Sequence, residues 1–223
     1  MAVAPSADVV RVFTRRVDQY AMFIRAVLYP QGLRAYFHTA PFLRSHLRVL
    51  DAGCGTGAVS FALRDAMLSR GFAPGPMHAF DLTPAMLERF KTKLAGSAPE
   101  IELRQADVLR LDTLPHEWHE YDLIVSASML EYLPSAKLPG ALAGLRSLLC
   151  HQGRLVVFIT RRNMLTRPLI GKWWASNLYK RSELEQIFSQ AGFKRAAFSS
   201  FPIRYGHLAM WGHIVVASND GGI

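Results

Sequence analysis

"RVLDAGCGTGAVSF", residues 48–61, joins an apolar run ending in Asp51 to a loop with Gly53, Gly55 and Gly57 at alternate positions, and then to the start of a helical pattern. The apolar run reads as a buried strand and "AVSFALRDAML" as a helix. The loop therefore sits at the carboxyl end of a strand, where open α/β sheets hold their ligands. Three glycines let the backbone turn tightly and come close to a ligand with no side chain in the way. The spacing alone leaves two readings open, because Gly53, Gly55 and Ala58 also satisfy the G-x-G-x-x-G/A dinucleotide pattern. Charge separates them: Asp51 would repel a pyrophosphate and attract a ligand that carries an ammonium and a sulfonium.

Outward from this loop, strand and helix signals alternate. "PMHAFD" reads as a strand, "TPAMLERFKTKL" as a helix with Thr83 as cap and Pro84 at its first position, and "EIELRQAD", "YDLIVSAS" and "QGRLVVFIT" as three more strands. "SAKLPGALAGLRSLLC" is a helix between the last two. That order predicts a parallel sheet covered on both faces. After the helix "KRSELEQIFSQAGF", closed by Gly192, "RAAFSSF" and "GHIVVAS" follow as strands with no helix between them, so the last strand is expected to enter antiparallel. Before the loop, Val10, Phe13, Val17, Tyr20, Ala21, Ile24, Val27 and Leu28 recur at helical spacing opposite Arg11, Arg15, Asp18 and Arg25, until "YPQG" stops the helix.

The chain's 223 residues, half of them hydrophobic and 19% charged, suffice for one core and argue against long disorder. Two cysteines, Cys54 and Cys150, and the lack of a leader pattern point to a reducing cytoplasm, and no apolar run is long enough to span a membrane. The net charge of +9 is uneven. Residues 1–50 carry seven arginines against two aspartates, residues 51–150 nine basic against twelve acidic groups, and residues 151–223 ten basic against three acidic. Basic flanks around an acidic middle suit an anionic contact or simply a solvated surface.

Several segments fall in one family's order. "VLDAGCGTG" resembles the first motif of class I S-adenosylmethionine-dependent methyltransferases, and "HAFDLTPAML" their second strand, whose terminal acid, Asp81 here, binds ribose hydroxyls. "ELRQADVLRL" is similar to the third strand, where Asp107 would reach the adenine amino group; "YDLIVSASMLEYL" to the fourth, with Glu131 and Tyr132 near the site; and "SELEQIFSQAGF" to a late helix and turn. The resemblance runs from about residue 47 to the end. It implies an α/β Rossmann-like, doubly wound, seven-stranded and mostly parallel sheet with an antiparallel last strand, preceded by an N-terminal helical lid or substrate segment over residues 1–46. It also implies S-adenosylmethionine as cofactor, held by Asp51, Gly53, Cys54, Gly55, Gly57, Asp81, Leu82, Asp107, Val108 and Ser126.

Methyl transfer from a sulfonium is an in-line displacement, so the protein mainly positions and desolvates, and a base is needed only where the acceptor loses a proton. Glu131 and His207 are the candidates for that base. Arg161, Trp173, Trp174 and Tyr179, in the long connection after the fifth strand, join Tyr20 and Tyr132 as substrate-side candidates, with core packing as the alternative for the tryptophans. "HEWHE" (residues 116–120) lacks metal-ligand spacing and reads as a loop anchored by Trp118. "SASM" after the fourth strand is not the Pro-Pro-aromatic motif of base and amide methylation, which argues against a nucleic-acid partner. The basic flanks and the aromatic segment suggest a small anionic or amphiphilic acceptor such as a lipid, a quinone precursor or a carboxylated metabolite. The first helix has two candidate uses, a lid or a contact with a membrane surface through Arg11, Arg15, Arg16 and Arg25. A catalytically inactive cofactor-binding partner and a nicotinamide enzyme remain the alternative functions.

Overall fold

In the computed structural model, residues 22–96, 98, 100–164, 166 and 176–219 are described. Tyr20, Trp173, Trp174, Arg11, Arg15 and Arg16 lie outside them. Seven strands form one sheet: β1 (Val49–Ala52), β2 (Met77–Asp81), β3 (Ile101–Gln105), β4 (Tyr121–Ala127), β5 (Leu149–Thr160), β6 (Arg195–Ser199) and β7 (Gly212–Ser218). Their order is β3-β2-β1-β4-β5-β7-β6. β1 to β5 pair in parallel, and β7 lies antiparallel between β5 and β6. The expected antiparallel last strand is thus present, as the penultimate strand in space. The order reverses at β1, whose neighbours are β2 and β4, and this switch point aims the glycine loop into a crevice.

Among the described residues, five helices cover the two faces. On one lie α1 (Tyr29–Thr39), α2 (Ala58–Ser69) and α3 (Pro84–Leu94), which contribute Leu33, Phe37, Leu63, Met67 and Phe90 to one core layer. On the other lie α4 (Leu138–Ser147) and α5 (Arg181–Gln190), with Leu142, Leu145, Leu184 and Phe188. All four residues of β1 are buried, as a parallel strand covered on both faces requires. Burying each of these large apolar side chains contributes about 1.5–3 kcal/mol.

"YPQG" starts a helix as well as ending one, a correction to the sequence reading. Residues 22–26 are helical, Leu28 adopts a left-handed conformation (φ 59°), and α1 restarts at once with Pro30 in its first turn. Proline lacks only a donor that the first turn leaves unused and is pre-set for helical φ. The restart matters because α1 lies over the sheet. Tyr36 and Phe37 pack edge-on against Phe158 of β5, at ring-centroid distances of 5.3 and 6.0 Å. Thr83 stands at the cap position of α3 as expected, yet its side chain makes no capping bond. Trp118 is buried and stacked on His78 at 4.4 Å, which bears out its reading as a loop anchor.

Candidate active site

A cleft of about 230 Å³ opens at the carboxyl ends of β1, β2, β3 and β4. Its first wall is the glycine loop. Gly53, Gly55 and Gly57 have φ of 77°, 52° and 85°, the left-handed region that only glycine enters cheaply. The amides of Gly53 and Cys54 both donate to the carbonyl of Phe80, at 2.8 and 2.9 Å, which stitches the loop to the end of β2. Gly55 has nothing within 4 Å of the place a Cβ would occupy, so its backbone faces open space. Asp81, at the end of β2, accepts bonds from the amides of Gly55 (2.9 Å) and Thr83 (2.8 Å). Burial raises its pKa, and the amide bonds oppose that rise. Leu82, Asp107 and Val108 complete this side, and Ile24, Tyr29 and Leu33 close the cleft from the N-terminal segment.

Behind the cleft lies a smaller chamber of about 70 Å³ with aromatic walls, among them Phe23, Phe158, Phe201 and Trp211. Ile24, Tyr29, Ser128 and Tyr132 line both spaces. Ser128 turns the chain at the end of β4 with φ of 53°, a conformation unusual for a residue with a Cβ. The short 3₁₀ turn Leu130–Tyr132 then sets Glu131 in the chamber wall. That carboxyl is 1% exposed. Its Oε1 accepts the Thr160 hydroxyl at 2.8 Å, while Oε2 is buried with no hydrogen-bond partner among the described residues. Burial pushes its pKa up to about 7, with its own backbone amide and then Thr160 pulling the other way. His213 of β7 lines the same chamber, its pKa lowered by burial and by Arg161.

Residues 49–153 match the family model described as "Methyltransferase domain". Over those residues the chain carries a methyltransferase domain, set in a sheet of the class I fold. The chain is 33% identical over 110 residues to aklanonic acid methyltransferase DauC of Streptomyces sp. (strain C5), covering 48% of this chain and 46% of that protein. It is 28% identical over 203 residues to the highly reducing polyketide synthase easB of Emericella nidulans, covering 84% of this chain but 8% of that protein. It spans less than half the length of the curated relatives it matches. In fold it resembles the magnesium protoporphyrin IX methyltransferase of Synechocystis PCC 6803 with bound S-adenosylhomocysteine (TM-score 0.69, 16% identity, 96% of this chain and 99% of that one). S-adenosylmethionine is the family's methyl donor, and the cleft suits it: the bare backbone at Gly55 stands beside the Asp81 carboxylate at a strand end. The nicotinamide alternative is set aside by the family match.

The fold brings Gly53, Cys54, Gly55, Asp81, Leu82, Asp107 and Val108 together around the cleft, and Tyr132 between the two spaces. Asp107 also accepts the Leu109 amide at 2.9 Å, closing its own turn. Other candidates stand elsewhere. Asp51 does not line the cleft: its carboxylate turns into α2, where one oxygen accepts the Ser60 amide (3.1 Å) and hydroxyl (2.6 Å). The charge argument built on Asp51 therefore belongs to Asp81. Gly57 caps α2 with Phe90 against it, and Ser126 is buried in β4; neither lines either space. His207 lies outside both, with Nε2 3.0 Å from the Val27 carbonyl oxygen. Arg161 is exposed on the Ala209 carbonyl, and Tyr179 is buried in the core layer beneath α5. The sequence reading missed Tyr29, Leu33, Ser128, Thr160 and His213. Thr160 alone had a legible signal, its place at the carboxyl end of a parallel strand.

Proposed function

We propose that the protein transfers the methyl group of S-adenosylmethionine to a small molecule seated in the aromatic chamber. One observation carries this reading: Ile24, Tyr29, Ser128 and Tyr132 border both the cleft and the chamber, so a donor in the first and an acceptor in the second would be neighbours. In this reading Asp81 accepts the ribose hydroxyls, charge-assisted bonds that a neutral side chain makes less well. The backbone of Gly53 to Gly55 lies along the donor, and Leu82, Asp107 and Val108 hold its base. Asp51 braces the loop through Ser60 rather than touching the donor. Residues 1–46 act as a lid and substrate segment, supported by Ile24, Tyr29 and Leu33 over the cleft. The apolar walls favour the amphiphilic part of the acceptor class expected from sequence, and peripheral contact with a membrane would bring such acceptors within reach. Among the described residues no helix is long and apolar enough to cross a membrane.

Calorimetric titration with S-adenosylhomocysteine, run beside Asp81→Ala and beside NAD, tests the donor half. Radiolabelled methyl transfer over a panel of lipids, quinone precursors and polyketide-like phenols tests the rest. Binding without transfer to any of them would favour the inactive-partner reading instead.

A further inference from the structure

The chamber combines one ionisable carboxyl with a lining that offers it no cation. Glu131 is the only acid in that lining, and neither lysine nor arginine occurs there among the described residues. The groups around Glu131 come from four elements: Thr160 on β5 bonds Oε1, Tyr29 of α1 and Tyr132 beside it line the same space, and His213 faces in from β7. Behind it lies Tyr179, whose ionisation Glu131 opposes. Arg161 bears on His213 and Arg162 on Tyr179. One carboxyl oxygen is thus held by a hydroxyl donor while the other is buried and unpartnered among the described residues, and Glu131 itself lines a space that borders the donor cleft. An unpaired buried oxygen is costly, and a ligand hydroxyl would satisfy it.

Resting on the methyl-transfer reading above, we infer that Glu131 takes the proton of the acceptor, and that the acceptor is an uncharged, apolar molecule presenting a hydroxyl rather than a carboxylate. In the step, the acceptor oxygen forms a bond to the methyl carbon as the sulfonium–carbon bond breaks. The hydroxyl proton passes to Oε2 of Glu131, and the sulfur keeps the electron pair as a neutral thioether. A carboxylate acceptor needs no base and would meet Glu131 as a like charge in a low-dielectric space. Among the described residues the basic flanks place no lysine or arginine in this lining, so the anionic half of the sequence expectation finds no support there. A sulfonium next door favours the ionised Glu131, so loading the donor prepares the base.

The test has a binding arm that needs no turnover. S-adenosylmethionine and S-adenosylhomocysteine are titrated calorimetrically into the protein in buffers of different ionisation enthalpy, between about pH 6 and pH 8. Expected is a proton released with the cationic donor and not with the neutral product, a difference that Glu131→Gln removes while both ligands still bind. No such difference at any pH, or one unchanged in Glu131→Gln, overturns the proton-acceptor assignment. Failure of either ligand to bind instead overturns the methyl-transfer reading itself. In a second arm, at pH 8 so that Glu131 is ionised, 1-naphthol and 1-naphthoate are titrated into protein saturated with S-adenosylhomocysteine. Expected is naphthol binding about tenfold tighter or more, a preference that narrows in Glu131→Gln. Equal or tighter binding of naphthoate overturns the acceptor class.

Discussion

The carboxylate of Asp81 accepts a hydrogen bond from the backbone amide of Gly55 at 2.9 Å, across a sequence separation of 26 residues. This bond ties the end of β2 to the loop after β1 on either side of the switch point, so one side chain both shapes the cleft and lines it.

Asp81→Ala should therefore weaken S-adenosylhomocysteine by about 10- to 100-fold, the scale of one or two charge-assisted hydrogen bonds. Asp81→Asn, which can still accept from Gly55, should fall between the two. Isothermal titration distinguishes them, and equal affinity in all three proteins would remove Asp81 from the site.

Gly57→Ala and Gly55→Ala should differ in their effect on folding. A Cβ on Gly57 would stand 2.4 Å from the Phe90 ring, on a backbone with φ of 85°. Strain and overpacking together should cost about 2–4 kcal/mol, seen as a fall in the denaturation midpoint. At Gly55, where the added methyl meets nothing, only the backbone term of about 1 kcal/mol remains, and the larger effect should be on donor binding.

Stability of the ligand-free protein should decrease as pH rises. Burial pushes the pKa of both Asp51 and Glu131 up to about 7. The folded state then holds protons that the unfolded chain has released above its ordinary carboxyl pKa near 4, so unfolding gains ground from about pH 4 up through pH 7. Thermal melts between pH 5 and pH 8 should show Tm falling, and Asp51→Asn and Glu131→Gln should each flatten the slope.

Thr160→Val should shift chemistry more than fold. It keeps shape but deletes the hydroxyl that favours ionised Glu131, so the Glu131 pKa rises further. The alkaline rise of the methyl-transfer rate should move to higher pH, with donor affinity unchanged. An unshifted profile would mean that Glu131 does not titrate in the rate.

The two cysteines should react unequally. Cys54 is buried, and burial with Asp51 and Asp81 nearby holds its thiol well above the usual range. Cys150 is raised too, by burial and Asp122, but is partly exposed. A thiol reagent at pH 8 should label Cys150 first, as peptide mapping would show, and S-adenosylhomocysteine should slow Cys54 further.

What the sequence determined by itself is the frame of the donor site. Glycines at 53, 55 and 57, the acid at the end of β2 and the alternation of strand and helix are local demands of backbone conformation and apolar period, so they are legible residue by residue. The direction in which Asp51 points was not legible, because a parallel strand buried on both faces has no polar side to orient it, and only the packing of Ser60 on α2 decides that. The restart at Pro30 was misread as an end, since proline punctuates a helix from either side. The aromatic chamber belongs wholly to the tertiary structure. Glu131 comes from the turn after β4, Thr160 from the end of β5, His213 from an antiparallel β7 and Tyr29 from a helix before the first strand. No periodicity links them; the burial that makes Glu131 titrate near neutrality exists only once those four elements close around it.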